Sequence, residues 1–319
     1  MSVRPIGIYY EHPHWFRPLF TKLRERGICH RKVNAAAHQF DPALLNHAGN
    51  WGLLFNRMSP SAYLRGNGHS IFYTQSYLDH AEKQGVRVVN GATAYRYETS
   101  KALQLSLLAA LRLPFPRSRV IHDPSQAREA AEGLKFPIVV KPNIGGSGAG
   151  VAKFDSSESL RAAVERGDVK LGIDSTALVQ EFIPARGAHI VRVEVLGGKF
   201  LYAIKVFLTG DTFDLCPADI CKNTDGVELN RLACPADAPK SGLRVEGYTP
   251  PKHIIKSVER IARAARIEVG GIECVTDDRD GQLYYYDINA LSNFVADGEQ
   301  VVGFDPFDRL VEYLVQEAA

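Results

Sequence analysis

The sequence predicts an α+β fold with a small parallel α/β sheet at its start, and three observations carry that prediction. Apolar strand-like runs alternate with helical stretches over residues 1–94, the pattern of a parallel sheet. A glycine-rich loop follows, set between two short apolar runs in "KFPIVVKPNIGGSGAGVAKF" (135–154). Two long hairpins come last, one turning at Gly197-Gly198 and one spanning "GGIECVTDDRDGQLYYYDINA".

Each element has a local reason. "RPIGIYY" (4–10) reads as a buried strand, "WFRPLFTKLRERG" (15–27) as an amphipathic helix stopped by Gly27, and "WGLLFNR" (51–57) as a second strand. "TQSYLDHAEKQG" (74–85) reads as a helix and "VRVVN" (86–90) as a third strand. Ser100 can cap the helix "SKALQLSLLAALRL", where Leu103, Leu107 and Leu111 recur at helical spacing. "SSESLRAAVERG" (156–167) starts at Ser156 with Ser159, not an acid, three residues on. "TALVQEFI" and "IVRVEVLGGKFLYAIKVF" read as strands and "HIIKSVERIARAAR" (253–266) as an amphipathic helix. The final helix takes Asp305 as N-cap and Pro306 in its first turn. Residues 209–250, rich in Asp, Pro and Gly, read mostly as loop, long enough to suggest a functional or a mobile segment.

Composition narrows the function classes. A chain of 319 residues is near the upper limit for one core, so two or three subdomains are expected. It is 45% hydrophobic and 23% charged with a net charge of +2, which gives no support to a nucleic-acid or membrane surface. No apolar run approaches the roughly 18 residues of a membrane span. The start, "MSVRPIGIYYEHPHW", is too polar for a signal peptide. Cys29, Cys216, Cys221, Cys234 and Cys274 are scattered and odd in number, as expected for reduced thiols in a cytoplasmic protein.

The glycine loop fits neither common phosphate motif. Gly146 and Gly148 begin G-x-G, but Val151 stands where the third glycine belongs. Gly145 and Gly150 have P-loop spacing, but Val151 and Ala152 follow instead of Lys and Ser or Thr. A strand–glycine loop–strand unit is a hairpin flap, whose backbone N–H groups can turn toward an anion. Lys141 at its root adds a point charge.

The second hairpin carries acids. Asp287 and Asn289 are two apart on a strand and share a face, offering hard oxygen ligands suited to Mg²⁺. Register decides whether Glu273 joins them. A two-residue Asp280-Gly281 turn pairs Glu273 with Ile288, on the wrong face; a three-residue Arg279–Gly281 loop pairs it with Asp287. Gly281 in the left-handed last position favours the second arrangement. The neighbouring Tyr284, Tyr285 and Tyr286 imply burial, which a metal or a basic partner would offset.

Together "SKALQ", "PIVVKPNIGGSGAGV", "LVQEFI", "VRVEVLGGKFLYAIK" and "GIECVTDDRDGQLYYYDIN", in that order, resemble the ATP-grasp superfamily, which includes D-alanine–D-alanine ligase, glutathione synthetase and RimK-like glutamate ligases. The resemblance spans about Arg57 to Asn293. It implies an N-terminal subdomain (1–94), a central lobe with the flap (95–180) and a C-terminal lobe with the metal site (181–319). It implies ATP and Mg²⁺ as cofactors. By matched position, Lys101 and Lys141 reach the phosphates, and Gly145, Gly146, Ser147 and Gly148 close over them. Gln180, Glu181, Phe182 and Ile183 form the hinge beside adenine, and Glu273, Asp287 and Asn289 hold Mg²⁺. Arg192 and Lys205 take the places of basic residues beside the γ-phosphate and the acyl phosphate.

The chain departs from the family in three places. His189 or Ile190 stands where an acid usually binds the ribose, Asp287 replaces the commoner Glu, and "ALSNF" replaces Ser-Pro-Gly after Asn289. The implied reaction phosphorylates a substrate carboxylate and lets an amine displace phosphate, forming an amide. The expected partners are a small-molecule carboxylate and an amine, either amino acid or peptide, with no nucleic acid and no membrane; a homodimer is admitted. The alternatives are a phosphotransferase on the same fold and a nucleotide-binding regulatory module. Outside the motifs, His12 and His14 follow the first strand, Arg57 ends the second, and Asp219 and Lys222 lie in the long loop. Each is a candidate substrate contact.

Overall fold

The computed structural model describes residues 4–12, 14–43, 51–146, 148–208 and 244–319. Ser147, Cys216, Asp219, Cys221, Lys222 and Cys234 lie outside them.

The first sheet is parallel, as the alternation predicts. It contains β1 (Ile6–Tyr10), β2 (His30–Asn34), β3 (Leu53–Arg57) and β4 (Val88–Val89) in the order β2-β1-β3-β4. Helix α1 (Arg17–Glu25) packs on one face through Leu19, Phe20 and Leu23, and α2 (Gly68–Lys83) on the other through Ile71, Tyr77 and Leu78. Covered on both sides, β1 and β3 are nearly continuous in apolar residues, which makes them legible. The edge strand β2, "HRKVN", is polar and exposed, and sequence reading missed it.

Two helices lead onward: α3 (Ala92–Glu98) and α4 (Lys101–Ala110), the latter capped by Ser100 as expected. Its buried stripe is Gln104, Leu105, Leu107 and Leu108, so the expected leucine seam is offset, and Leu103 is 37% exposed.

The second sheet is antiparallel: β5 (Ser118–Ile121), β6 (Ile138–Pro142), β7 (Ala152–Phe154) and β8 (Ala177–Glu181), ordered β5-β8-β6-β7. The period of two sorts β6: Ile138 and Val140 pack with Leu160 and Ala163 of α6 (Ser157–Arg166), beside α5 (Ala127–Ala130). Val139 and Lys141 face a cleft. Ser156 caps α6, and Ser159 closes the capping box in place of an acid.

The third sheet holds β9 (His189–Leu196), β10 (Lys199–Phe207), β11 (Val245–Tyr248), β12 (Val269–Thr276) and β13 (Leu283–Asn289), ordered β11-β10-β9-β12-β13. Strand β11 lies at the described end of the 209–250 stretch read mostly as loop; 209–243 fall outside the described residues. Helix α7 (Lys252–Ala265) and α4 cover one face, burying Val193, Val195, Ile272 and Ile288. The other face joins the first sheet, α8 (Gly298–Val302) and α9 (Pro306–Ala318) in one core containing Ile8, Phe55, Ile204, Val206 and Leu310. Asn90 fastens that junction. Its Nδ2 donates to Val269 O at 2.6 Å and Ala290 O at 2.5 Å, and its Oδ1 accepts from the amides of Glu268 and Val269. Its φ of 52° is left-handed, which Asn tolerates better than most residues.

Candidate active site

A cleft of about 620 Å³ lies where the three sheets meet. The carboxyl end of β3 contributes Ser59 and Ser61, the second sheet contributes Lys141, Lys153 and Gln180, and the third contributes Arg192, Glu273, Asp287 and Asn289.

The acids come together as expected, by a different route. Near the turn the register is Thr276 to Leu283 and Cys274 to Tyr285; it then steps, and Glu273 pairs with Asp287. The turn is a four-residue loop, 278–281, closed by Asp277 N–H to Gln282 O at 2.9 Å, with Gly281 left-handed at φ 81°. A β-bulge at Tyr286 makes up the missing residue. Glu273, Asp287 and Asn289 therefore share the cleft face, and Gly271 lies opposite Asn289.

Cations hold both acids. Lys101 Nζ bonds Asp287 Oδ1, and Arg192 Nη1 donates to Glu273 Oε1 at 2.9 Å. Arg192 is 1% exposed and also donates from Nε to Glu194 at 2.6 Å. A Cβ at Gly271 would stand 2.7 Å from Arg192 Nε, so the absent side chain makes room for the guanidinium. Burial pushes the Glu273 carboxyl up, against the pull of Arg192. For Asp287 burial also pushes up, but Lys101 and Lys141 outweigh it and hold the carboxyl below its ordinary value. Burial pulls Lys101 down, but Asp287, Glu273 and Glu98 more than offset this and hold it above its usual range. Lys141 is 8% exposed, and there burial and the Lys101 charge outweigh the pull of Asp287 and Glu273 and bring it down to about 7. Two carboxylates and an amide on one face are a hard-oxygen donor set that fits Mg²⁺. Among the described residues no group of three or more His, Cys, Asp or Glu side chains forms a metal cluster.

The flap is an antiparallel hairpin of β6 and β7, as its strand–loop–strand pattern predicts. Gly148 and Gly150 take left-handed φ values of 71° and 76°. Its root is tied to the helix bearing Lys101: Asn143 Oδ1 accepts from Ala102 N–H at 2.9 Å, and Asn143 O accepts from Lys101 N–H at 3.2 Å. Asn143 Nδ2 donates to Asp174 at 2.6 Å. Replacing Asn143 with Ala is expected to lower stability by about 1 kcal/mol, as loss of a helix cap does. Nucleotide affinity should fall with it. Urea denaturation and calorimetric titration with ADP check both. On the far side, Gln180, Glu181, Phe182 and Ile183 line the cleft, and the Phe182 amide is already bonded to Pro137 O at 3.0 Å.

Two predicted residues fall outside the cleft. Lys205 pairs with Val191, so it sits on the opposite face from Arg192, and its ammonium lies 4.8 Å from the Tyr248 ring. It is not beside the acids. His189 is not part of the lining; its Nδ1 lies 3.1 Å from Gly187 O, so no ribose contact follows from it. Of the weaker candidates, His12 is buried, stacks on Trp15 at 4.2 Å, and accepts the amides of His14 and Trp15 at 3.2 Å. Burial, with Arg65, pushes its imidazole down to about 3. Arg57 is buried and donates to Ser292 O and to Asn293 Oδ1. The reading missed Glu98, which lines the cleft, accepts from the amides of Ala290 and Leu291, and is pushed up to about 7, mainly by burial. It also missed Glu194 and Tyr286. Glu98 lies three residues before Lys101, one helical turn away, but nothing in the sequence distinguishes it from a solvated acid.

Comparison with known proteins agrees with this architecture. A structure of the ATP-grasp ligase PsnB complexed with minimal precursor superposes with a TM-score of 0.67 at 18% identity, covering 99% of this chain and 100% of that one. A RimK domain protein ATP-grasp from Sphaerobacter thermophilus gives 0.65 at 19% identity, covering 98% of each chain. The chain has the ATP-grasp fold. Residues 98–212 match the RimK-like ATP-grasp domain family, so the resemblance read from the sequence is borne out there. A probable alpha-L-glutamate ligase of Teredinibacter turnerae is 30% identical over 140 residues, 43% of this chain and 46% of the relative. A D-alanine–D-alanine ligase of Aromatoleum aromaticum is 34% identical over 119 residues, 35% and 38% of the two chains. The chain thus spans less than half the length of these curated relatives. No described helix is long and apolar enough to cross a membrane.

Proposed function

We propose that the cleft binds ATP with Mg²⁺ and that the protein joins a carboxylate to an amine through an acyl phosphate. The observation that carries this reading is the convergence of Lys101, Lys141, Arg192 and the Glu273–Asp287 pair beneath one glycine flap. Relatives named as glutamate and D-alanine ligases support it, as do PsnB structures with a precursor peptide and AMPPNP and with Mg and ADP. An amino acid or peptide substrate, a cytoplasmic location and the division at residues 94 and 180 belong to the same proposal.

The chain's residues have distinct work. Glu273, Asp287 and Asn289 would hold Mg²⁺, which when bound offsets charge on the transferring phosphoryl group. Lys141 meets the phosphates; their charge favours its ammonium form, which burial and Lys101 disfavour. Arg192 stays fixed by Glu194 and Glu273, a guanidinium needing no reorientation. The substrate carboxylate oxygen attacks the γ-phosphorus and ADP leaves. The amine nitrogen then attacks the acyl carbon, phosphate leaves, and the nitrogen loses a proton. The flap keeps water from the acyl phosphate.

Hydroxylamine tests this. With a carboxylic acid that stimulates ADP release, it should replace the amine and give one hydroxamate per ADP, only with Mg²⁺. A stable phosphate ester without hydroxamate would turn the assignment to a phosphotransferase, and ATP binding without ADP release to a regulatory module.

A further inference from the structure

We propose that Tyr286 is a positioning residue that fixes the Glu273 carboxylate for the metal, an inference that rests on the metal reading of the acid pair. Tyr286 is the extra residue of the β13 bulge, unpaired between Tyr285 opposite Cys274 and Asp287 opposite Glu273. Regular alternation would put residues 286 and 287 on opposite faces. The bulge turns both toward the cleft, and both line it.

The Tyr286 hydroxyl donates to Glu273 Oε2 at 2.8 Å, while Arg192 Nη1 donates to Oε1 at 2.9 Å. One donor on each oxygen fixes the plane of the carboxylate. An ionised carboxylate has about four acceptor positions, so lone pairs remain for a cation. Arg192 is itself held by Glu194, and Tyr286 by the backbone of its strand, so Glu273 is gripped by two anchored groups. Asp287 is held instead by the tip of the Lys101 side chain and by Asn289 of its own strand. Partners that orient a metal ligand typically matter 10- to 100-fold in metal affinity.

Mn²⁺ serves as the probe, titrated into the full chain with saturating ADP and followed by electron paramagnetic resonance of free Mn²⁺. Tyr286→Phe should weaken Mn²⁺ about tenfold or more, while the ligand-free protein stays folded with a modestly lower melting temperature from the lost hydrogen bond. In a Glu273→Ala background, adding Tyr286→Phe should weaken residual binding no further, because Tyr286 acts through Glu273. Unchanged Mn²⁺ affinity in folded Tyr286→Phe overturns the proposal. So does an undiminished loss in the Glu273→Ala background, which would show that the hydroxyl acts elsewhere. A wild-type chain that binds ADP but no Mn²⁺ would bring down the metal reading itself, a failure visible before any variant is made.

Discussion

Lys141→Met is expected to lower kcat by about 100- to 1000-fold, the scale of losing one charged donor aimed at a reacting group, while making the ligand-free protein more stable. The stabilisation follows from the lysine's surroundings. Its pKa in the folded protein is about 7, below the value of an unfolded chain, because burial and Lys101 oppose the charge. The ionised form therefore costs the folded state, in full below about pH 7, and this cost disappears as pH rises toward about 10.4, the unfolded value. The gain in melting temperature from Met should be larger at pH 6 than at pH 9. Thermal melts at both values, with ADP-release assays, check the pair of effects. A variant with wild-type turnover, or one destabilised at pH 6, would contradict the role.

Asp287→Asn should abolish measurable turnover and also destabilise the protein, which separates it from Lys141→Met. The Lys101 and Asp287 side chains are 15% and 19% exposed, so removing the carboxylate strands a largely buried ammonium. Breaking a buried pair costs about 3–5 kcal/mol. Here on the order of 2–3 kcal/mol is expected, because Glu273 and Glu98 still face Lys101. Lys101→Met added to Asp287→Asn should restore much of the stability and none of the activity. Denaturant titration of the two variants, with an ADP-release assay, reads both results.

What could be read from the sequence followed from periodicity and glycine. Strands buried on two faces, the flap and the acid-bearing hairpin all announce themselves by residue type. The bulges do not. In β13, three consecutive tyrosines carry no mark of which one is extra. The Glu273–Asp287 pairing was expected from a three-residue loop, yet it arises from a four-residue loop and a bulge that compensates for it. In β10 a second register shift, between Phe200 and Tyr202, has the opposite effect. Counting from Lys199 opposite Leu196 without that shift, Lys205 would lie opposite Ile190, on the face of Arg192. With it, Lys205 lies opposite Val191 and points away. A one-residue slip moves every later side chain to the other face, so one bulge brings Asp287 and Asn289 onto the face of Glu273 and the other takes Lys205 out. Glu98 was hidden for another reason: its partners, the amides of Ala290 and Leu291, are distant in sequence.

Asn90 bears on modularity. Its side chain bonds backbone of two adjacent strands of the third sheet, at Glu268 and Val269 where β12 begins and at Ala290 just past β13, and its own carbonyl accepts from Asn56 Nδ2 of the first sheet at 3.1 Å. The first sheet is thus stitched, through the Asn90 and Asn56 side chains, to the sheet that carries the acids. They are not an accessory that recombination could exchange while leaving the acid-bearing sheet intact. New specificity in such a chain has to be acquired in place, through the side chains and loops around the cleft.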